Sequence, residues 1–338
     1  MRKLAEATRE CADPPVTKTI LLGVAAVLLV AVLLVGGFFW SAHRGIEAEH
    51  APLPTAQELA AWIDGPTFDL PVRARWIETA TQKMPRSAVL DPAGDPSPET
   101  PFVMSHPAFV IEWTDGRILL VDTGMRPDSA ISFGKPLEWL GGAGPIEPRK
   151  STAEALGSDL QRVKGLLFTH LHTDHVDGVV ALCEGASPPR IDAFMTVAQA
   201  ERPNYTTQPG LDLLEQAPCV SPHVLGGVAA LHPVQGFPGV AVIDAGGHTP
   251  GSEIILVRLA AAQGMKLLAF AGDTVNHHDG IRHDVPKPWA YRKFIVPESD
   301  ERQHELRQFL SSLEKEKGFT VLVSHDEASV LASGLPPQ

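Results

Sequence analysis

Residues 169–178 read Thr-His-Leu-His-Thr-Asp-His-Val-Asp-Gly and place His170, His172, Asp174 and His175 within six positions. Ligating side chains this close in sequence converge on one point only if the backbone turns beneath them. An apolar run at 163–168, broken by Lys164 and Gly165, comes before them and reads as a buried strand. Residues 176–183 then open a helix. The four side chains therefore sit on a strand-to-helix loop, where a rigid scaffold presents them together. Imidazole nitrogens with a carboxylate suit zinc or a similar divalent ion. A single histidine is ordinarily a core or surface residue, but three with an aspartate at H-x-H-x-D-H spacing make a metal-binding run.

Four more apolar runs end in polar residues of the same kind. Residues 240–243 lead to Gly246-Gly247-His248-Thr249-Pro250-Gly251, and 267–271 to Gly272-Asp273-Thr274. Residues 320–323 lead to Ser324-His325-Asp326, and, upstream, 118–121 lead to Asp122-Thr123-Gly124. The order of these strand ends resembles the metallo-β-lactamase fold superfamily of metallohydrolases over about residues 100–330. The resemblance implies two β-rich halves packed face to face with helices outside, an α/β fold of the αβ/βα four-layer sandwich type, with the site at one edge.

By the same resemblance, His170, His172 and His248 bind one metal, and Asp174, His175 and His325 bind a second. Asp273 bridges the two. Every one of these positions carries the expected residue type, which disfavours a metal-free relative. The cofactors implied are two divalent ions, zinc first, with manganese, iron or cobalt as substitutes. Asp174, Asp273 and a bridging hydroxide offset most of the charge of such a pair. Metal-bound water has its pKa lowered to about 7, so hydroxide is available at neutral pH. The implied reaction is attack of that hydroxide on the carbonyl of a lactone or related ester, with Asp174 or Asp273 handing a proton to the leaving group. Asp122 reads either as a carboxylate that fixes a ligand imidazole or as a plain turn residue in Asp-Thr-Gly.

Details of the set narrow the class. His172 stands where oxygen-reducing di-iron members carry Glu, and Asp273 stands where β-lactamases of the fold usually lack Asp. Residues 120–125, Leu-Val-Asp-Thr-Gly-Met, and 324–327, Ser-His-Asp-Glu, look like segments of N-acyl homoserine lactonases. Those lactonases often place a Tyr three residues after the bridging Asp to hydrogen-bond the substrate carbonyl, where this chain has Asn276. Asn donates a hydrogen bond too, less acidically. Tyr205 and Tyr291 are the only tyrosines, and Tyr291 is the candidate to replace that Tyr in space. The alternatives are another ester, thioester or phosphodiester hydrolase, and a non-catalytic metal-binding protein. His277, His278 and His283 read as exposed loop histidines first, and otherwise as residues that tune the pocket or bind a further metal. Trp289, Tyr291 and Phe294 either line an acyl-chain pocket or simply pack.

The N-terminus limits where such a domain sits. Residues 20–40 run without a charge. At about 1.5 Å per helical residue they span roughly 30 Å, one hydrocarbon core. A cleaved signal has an apolar core of only about 7–15 residues, so an uncleaved anchor is favoured. Phe38, Phe39 and Trp40 lie at its far end, where aromatics favour the interface. Arg2, Lys3, Arg9 and Lys18 precede the run and only Arg44 follows closely. The positive-inside rule puts residues 1–19 in the cytoplasm as a tail and the remainder outside it, in the periplasm of a Gram-negative cell. Cys11, before the apolar run, does not look like a lipoprotein acylation site.

Residues 41–65 read as a linker containing a short helix capped by Thr55 and Glu58, and residues 66–338 as the hydrolase domain. Within that domain residues 73–79 read as a strand. Residues 109–121 read as a hairpin around Thr114-Asp115-Gly116, 85–101 as a loop, and 152–160 as a helix. The Gly- and Pro-rich stretch 125–150 reads as a loop that either walls the substrate or covers the domain. Cys183 and Cys219 lie on the outer side of the proposed topology, so a disulfide is permitted, and two buried thiols are the equal alternative. The 338 residues are 44% apolar, enough for a sizeable core, and the net charge of −12 speaks against a nucleic-acid partner. The expected partners are a small ester or lactone and the membrane. The oligomeric state is not legible.

Overall fold

The computed structural model describes residues 15–47, 51–140, 142–227, 229–261 and 264–338. The tail 1–14, with Cys11, lies outside the described residues. The chain divides into two compact units, Met1–Ala42 and His43–Gln338. Helix α1, Pro15–Glu47, carries the uncharged run and continues into the second unit. Its stretch Ile20–Glu47 is long and apolar enough to cross a membrane by length and composition.

The second unit is built on two sheets. β1 (Arg73–Met84), β2 (Phe102–Glu112), β3 (Ile118–Val121), β4 (Ile146–Pro148), β5 (Val163–Leu167), β6 (Ile191–Thr196) and β7 (Val220–Leu225) form the first, in the order β4-β1-β2-β3-β5-β6-β7. β8 (His232–Pro233), β9 (Val240–Asp244), β10 (Glu253–Ala261), β11 (Gly264–Phe270) and β12 (Phe319–Leu322) form the second, in the order β12-β11-β10-β9-β8. β1, β2 and β3 pair antiparallel, whereas β3, β5, β6 and β7 run parallel. In the second sheet only the β11–β12 pair is parallel.

The period-2 alternation of strand side chains sorts these residues into layers. Phe109 and Ile111 of β2, with Leu119 and Val121 of β3, face Val242, Ile255, Val257 and Phe270 in the cluster between the sheets. Their neighbours Val110, Ile118 and Leu120 point the other way and pack with Val179 and Leu182. On the far side, Ile254, Leu256 and Ala269 meet Leu306, Leu310 and Leu313 of the helix Asp300–Lys317. Helices thus cover both outer faces, and the architecture is the four-layer αβ/βα sandwich. Phe109 and Phe270 meet at 4.7 Å between the sheets, so truncating either to Ala removes about 3–5 kcal/mol.

Local expectations fared differently. The turn at Thr114-Asp115-Gly116 closes the β2–β3 hairpin, with Gly116 at φ +88° and Asp115 Oδ1 accepting from the Arg117 N–H at 3.0 Å. Thr55 and Glu58 form the reciprocal cap of helix α2, Ala56–Ile63, and Leu59 of that helix is buried in the outer layer with Ile243 and Ile254. The stretch 125–150 is not a plain loop. It contains helix α3, Pro127–Leu140, with Pro136 inside it, and Gly134 lies so close to Ile146 that an added Cβ would stand 2.7 Å from it. Residues 152–160 are helical only to Leu156, after which Gly157 at φ +54° starts a tighter turn. Cys183 and Cys219 are joined in a disulfide with Cα atoms 5.3 Å apart.

Candidate metal centre

Five strands deliver the site from their carboxyl ends. β3 ends one residue before Asp122, and β5 runs into the loop carrying His170 and His172. Asp174 and His175 lie in the helical turn Thr173–Val176 that follows. His248, Asp273 and His325 follow β9, β11 and β12. Gly178 lets this loop close down on the end of β3: a Cβ there would meet the Thr123 carbonyl oxygen at 2.2 Å.

The histidine rings are oriented from outside by hydrogen-bond partners. Asp122 Oδ2 accepts from His175 Nδ1 at 2.9 Å. The Ser105 carbonyl accepts from His325 Nδ1 at 2.8 Å, and Glu298 Oε1 from His248 Nδ1 at 2.5 Å. Thr206 gives its own proton to Asn204 Oδ1, so it accepts from His172 Nε2 at 2.9 Å. Thr169 gives its proton to Asp122 Oδ2 and lies 3.3 Å from His170 Nδ1. With the outer nitrogens acting as donors, each ring, when neutral, turns its other nitrogen, an unprotonated lone pair, inward.

The inward atoms form groups. His170 Nε2 is 2.9 Å from His172 Nδ1, which is 3.3 Å from His248 Nε2. His325 Nε2 lies 3.4 Å from Asp174 Oδ2 and 3.0 Å from Asp273 Oδ2. Asp273 also reaches His175 Nε2 at 3.4 Å and His248 Nε2 at 3.7 Å, so it touches histidines of both groups. Around an ion with bonds of about 2.0–2.1 Å, tetrahedral ligand atoms are roughly 3.4 Å apart, and the observed separations cluster there. His175 Nε2 and Asp273 Oδ1 are buried and have no hydrogen-bond partner among the described residues. The donor set fits divalent cations on these grounds.

The electrostatics agree. Burial, with neighbouring imidazoles adding to it, holds His170 and His172 well below the ordinary histidine range, so both stay neutral. Burial pulls His175 the same way, but Asp122 and Asp174 outweigh it and hold that ring well above the range. The carboxylates whose field keeps a proton on His175 attract a metal cation by the same field.

Several contributors carried no sequence signal. Lys287 is buried and donates to Glu298 Oε1 at 2.6 Å and to the Asp273 carbonyl at 2.5 Å. A buried Lys–Glu pair therefore braces His248 and the backbone of Asp273 together. Glu298 and Lys287 lie far from the ligand runs in sequence, and only the fold joins them. His106, on β2, places Nδ1 3.3 Å from Asp174 Oδ2.

The remaining candidates separate. Asn276 is buried, and Tyr291 comes to its side. Burial, then the charges of Glu298, Asp273 and Asp174, hold the Tyr291 phenol well above its ordinary pKa, with the Asn276 amide opposing them. The phenol therefore remains a donor. His278 is not an exposed loop residue: it is buried, its Nδ1 2.9 Å from Ser329 Oγ and its Nε2 2.7 Å from Glu314. His277 contacts Arg86 at 2.7 Å, and only His283 of the three is exposed. Trp289 and Phe294 pair edge to face at 5.3 Å and are 58% and 50% exposed.

Residues 102–191 match the family model of the Metallo-beta-lactamase superfamily. No curated protein matches the chain. Among solved structures, the chain is similar to an AiiA mutant of B. thuringiensis with N-decanoyl-L-homoserine bound at the active site, at 18% identity and a TM-score of 0.56, covering 78% of this chain and 96% of that one. It is similar, with the same identity, TM-score and coverage, to an N-acyl homoserine lactone hydrolase holding the product N-hexanoyl-L-homoserine at its catalytic metal centre. A probable metal-dependent hydrolase from Staphylococcus aureus matches at 15% identity and a TM-score of 0.53, covering 77% of this chain and 91% of that one. These likenesses establish the metallo-β-lactamase fold.

Proposed function

We propose that this chain of metallo-β-lactamase fold is a membrane-anchored, metal-dependent hydrolase that opens a lactone or related small ester. The observation that carries the reading is the set of five oriented imidazoles facing Asp174 and Asp273. His170, His172 and His248 would hold one divalent ion, and Asp174, His175 and His325 the other, with Asp273 between them. Zinc suits this set of nitrogen and carboxylate donors. Ions held there supply a nucleophilic water at neutral pH and polarise the substrate carbonyl.

The chain's own residues do the rest. Tyr291, kept protonated, and the Asn276 amide present donors for the carbonyl oxygen as negative charge develops on it. Asp273 or Asp174, ionised at the outset, takes a proton from the attacking water and passes it to the ester oxygen as its bond to the acyl carbon breaks, so that ring opening yields a hydroxy acid. The buried Lys287–Glu298 pair keeps His248 and Asp273 from drifting during turnover. The AiiA and lactone hydrolase structures, with acyl homoserines at their active sites, favour a lactone as substrate.

The anchor rests on α1 and on the disulfide. Residues 1–19 would lie in the cytoplasm and 66–338 outside it, where Cys183–Cys219 persists oxidised. The test of the site is His170→Ala. It should remove one bound ion per chain and abolish turnover, and a variant that keeps its full metal content and activity contradicts the assignment.

A further inference from the structure

We infer that His106 is itself a metal ligand, on the Asp174 and His325 side of the centre, an inference that rests on the reading that divalent ions bind there. His106 follows Ser105, whose carbonyl takes the ring proton of His325. The strand that orients His325 therefore also carries His106 into the site. The imidazole is 1% exposed. Its Nδ1 lies 3.3 Å from Asp174 Oδ2, an oxygen that is itself 3.4 Å from His325 Nε2. The ligand atoms of His106, Asp174 and His325 all lie within 4.8 Å of one another.

Closeness without a bond is the telling feature. Neither ring nitrogen of His106 has a hydrogen-bond partner among the described residues, although a carboxylate oxygen stands 3.3 Å away. A ring placed to donate to Asp174 would aim its N–H at that oxygen. At 3.3 Å Nδ1 and that oxygen are close yet form no hydrogen bond, as is the case for two ligands of a shared centre. Separations of 3.3 and 3.4 Å are within the span of two ligands that share one ion with bonds of about 2.0–2.1 Å. His175 Nε2 and Asp273 Oδ1 show the same signature, buried and unpartnered. Phe133 of α3 packs edge-on against the His106 ring at 5.3 Å and fixes its position.

The experiment loads the purified full-length chain in detergent with Co2+ and compares wild type with His106→Ala and His106→Gln. It measures cobalt per chain, the affinity of each ion, and the paramagnetically shifted, exchangeable histidine N–H signals. The Gln variant keeps most of the side-chain volume, so it reads the role of the ring even where the Ala variant fails to fold. The expected result is a loss of tenfold or more in the affinity of one ion, together with one shifted signal fewer. Wild-type affinity with all shifted signals retained overturns the inference. So does weakened affinity with all signals retained, which makes His106 a positioning residue for Asp174. A wild-type chain that binds no cobalt overturns the metal reading itself, an outcome distinct from the other two.

Discussion

Asp122 Oδ2 accepts a hydrogen bond from His175 Nδ1 at 2.9 Å while the Asp122 backbone stands at φ +59°. That left-handed conformation is uncommon for a residue with a side chain, though Asp tolerates it better than most. It is held by two further bonds, from the Thr169 N–H and the Thr169 hydroxyl, both at 2.8 Å. One carboxylate thus ties the end of β3 to the loop that carries His170, His172 and Asp174, and sets the tautomer of His175. Asp122→Asn replaces one acceptor oxygen with a donor. The account expects a loss of about 10–100-fold in affinity for the ion on the His175 side, read by competition with a chelator. Unchanged affinity would leave Asp122 as a turn residue only.

The Lys287–Glu298 pair has side chains only 2% and 1% exposed. Removing one partner leaves a buried charge uncompensated, at about 3–5 kcal/mol. Lys287→Met should therefore lower the melting temperature sharply. Adding Glu298→Gln to it should recover part of the loss, because the second change removes the orphaned charge. Thermal unfolding of the two variants side by side tests this, and additive losses would argue against direct coupling.

Glu253 is buried, and its carboxyl is held well above the ordinary range by that burial, with the Thr196 N–H at 2.7 Å only partly opposing it. The folded state therefore prefers the neutral acid. Its contribution to stability is fully present below the unfolded pKa of about 4.5 and is lost progressively as pH rises through the folded value. Glu253→Gln keeps the acceptor and removes the titration. The variant should gain stability relative to wild type as pH is raised from 4 to about 8. A difference that stays constant with pH would contradict the assignment.

The disulfide joins residues separated by 36 positions. A loop of that length corresponds to about 4 kcal/mol of chain entropy removed from the unfolded state. Cys183→Ser should lose a comparable amount of stability when the protein is made in an oxidising compartment, and much less when it is made in a reducing one. Equal stability of wild type and variant under oxidising conditions would remove the support that the disulfide gives to the proposed extracytoplasmic domain.

Legibility in the sequence followed chain locality. His170, His172, Asp174 and His175 announce themselves because six residues hold all of them, and the strand that leads into each of these strand-end motifs is largely apolar. Asp122 was equally visible as a residue but ambiguous in role, since only the fold shows that its carboxylate meets His175. Helix α3 was hidden by Pro136 and Gly134, residues that ordinarily stop helices. Gly134 is there because Ile146 packs where a side chain would stand. His106, Lys287 and Glu298 have no motif around them. They reach the centre from β2 and from residues well outside the ligand runs, and nothing in their spacing records that convergence.

The central claim, a metal-dependent hydrolase of lactones, is tested most directly by one turnover measurement. The purified full-length chain is offered short- and long-chain acyl homoserine lactones, a simple γ-lactone, a phosphodiester and a β-lactam, before and after chelation and again after zinc is restored. The account predicts lactone opening that chelation abolishes and zinc recovers, with the phosphodiester and β-lactam untouched. Lactone opening that survives complete metal removal, or turnover of the phosphodiester alone, would contradict it.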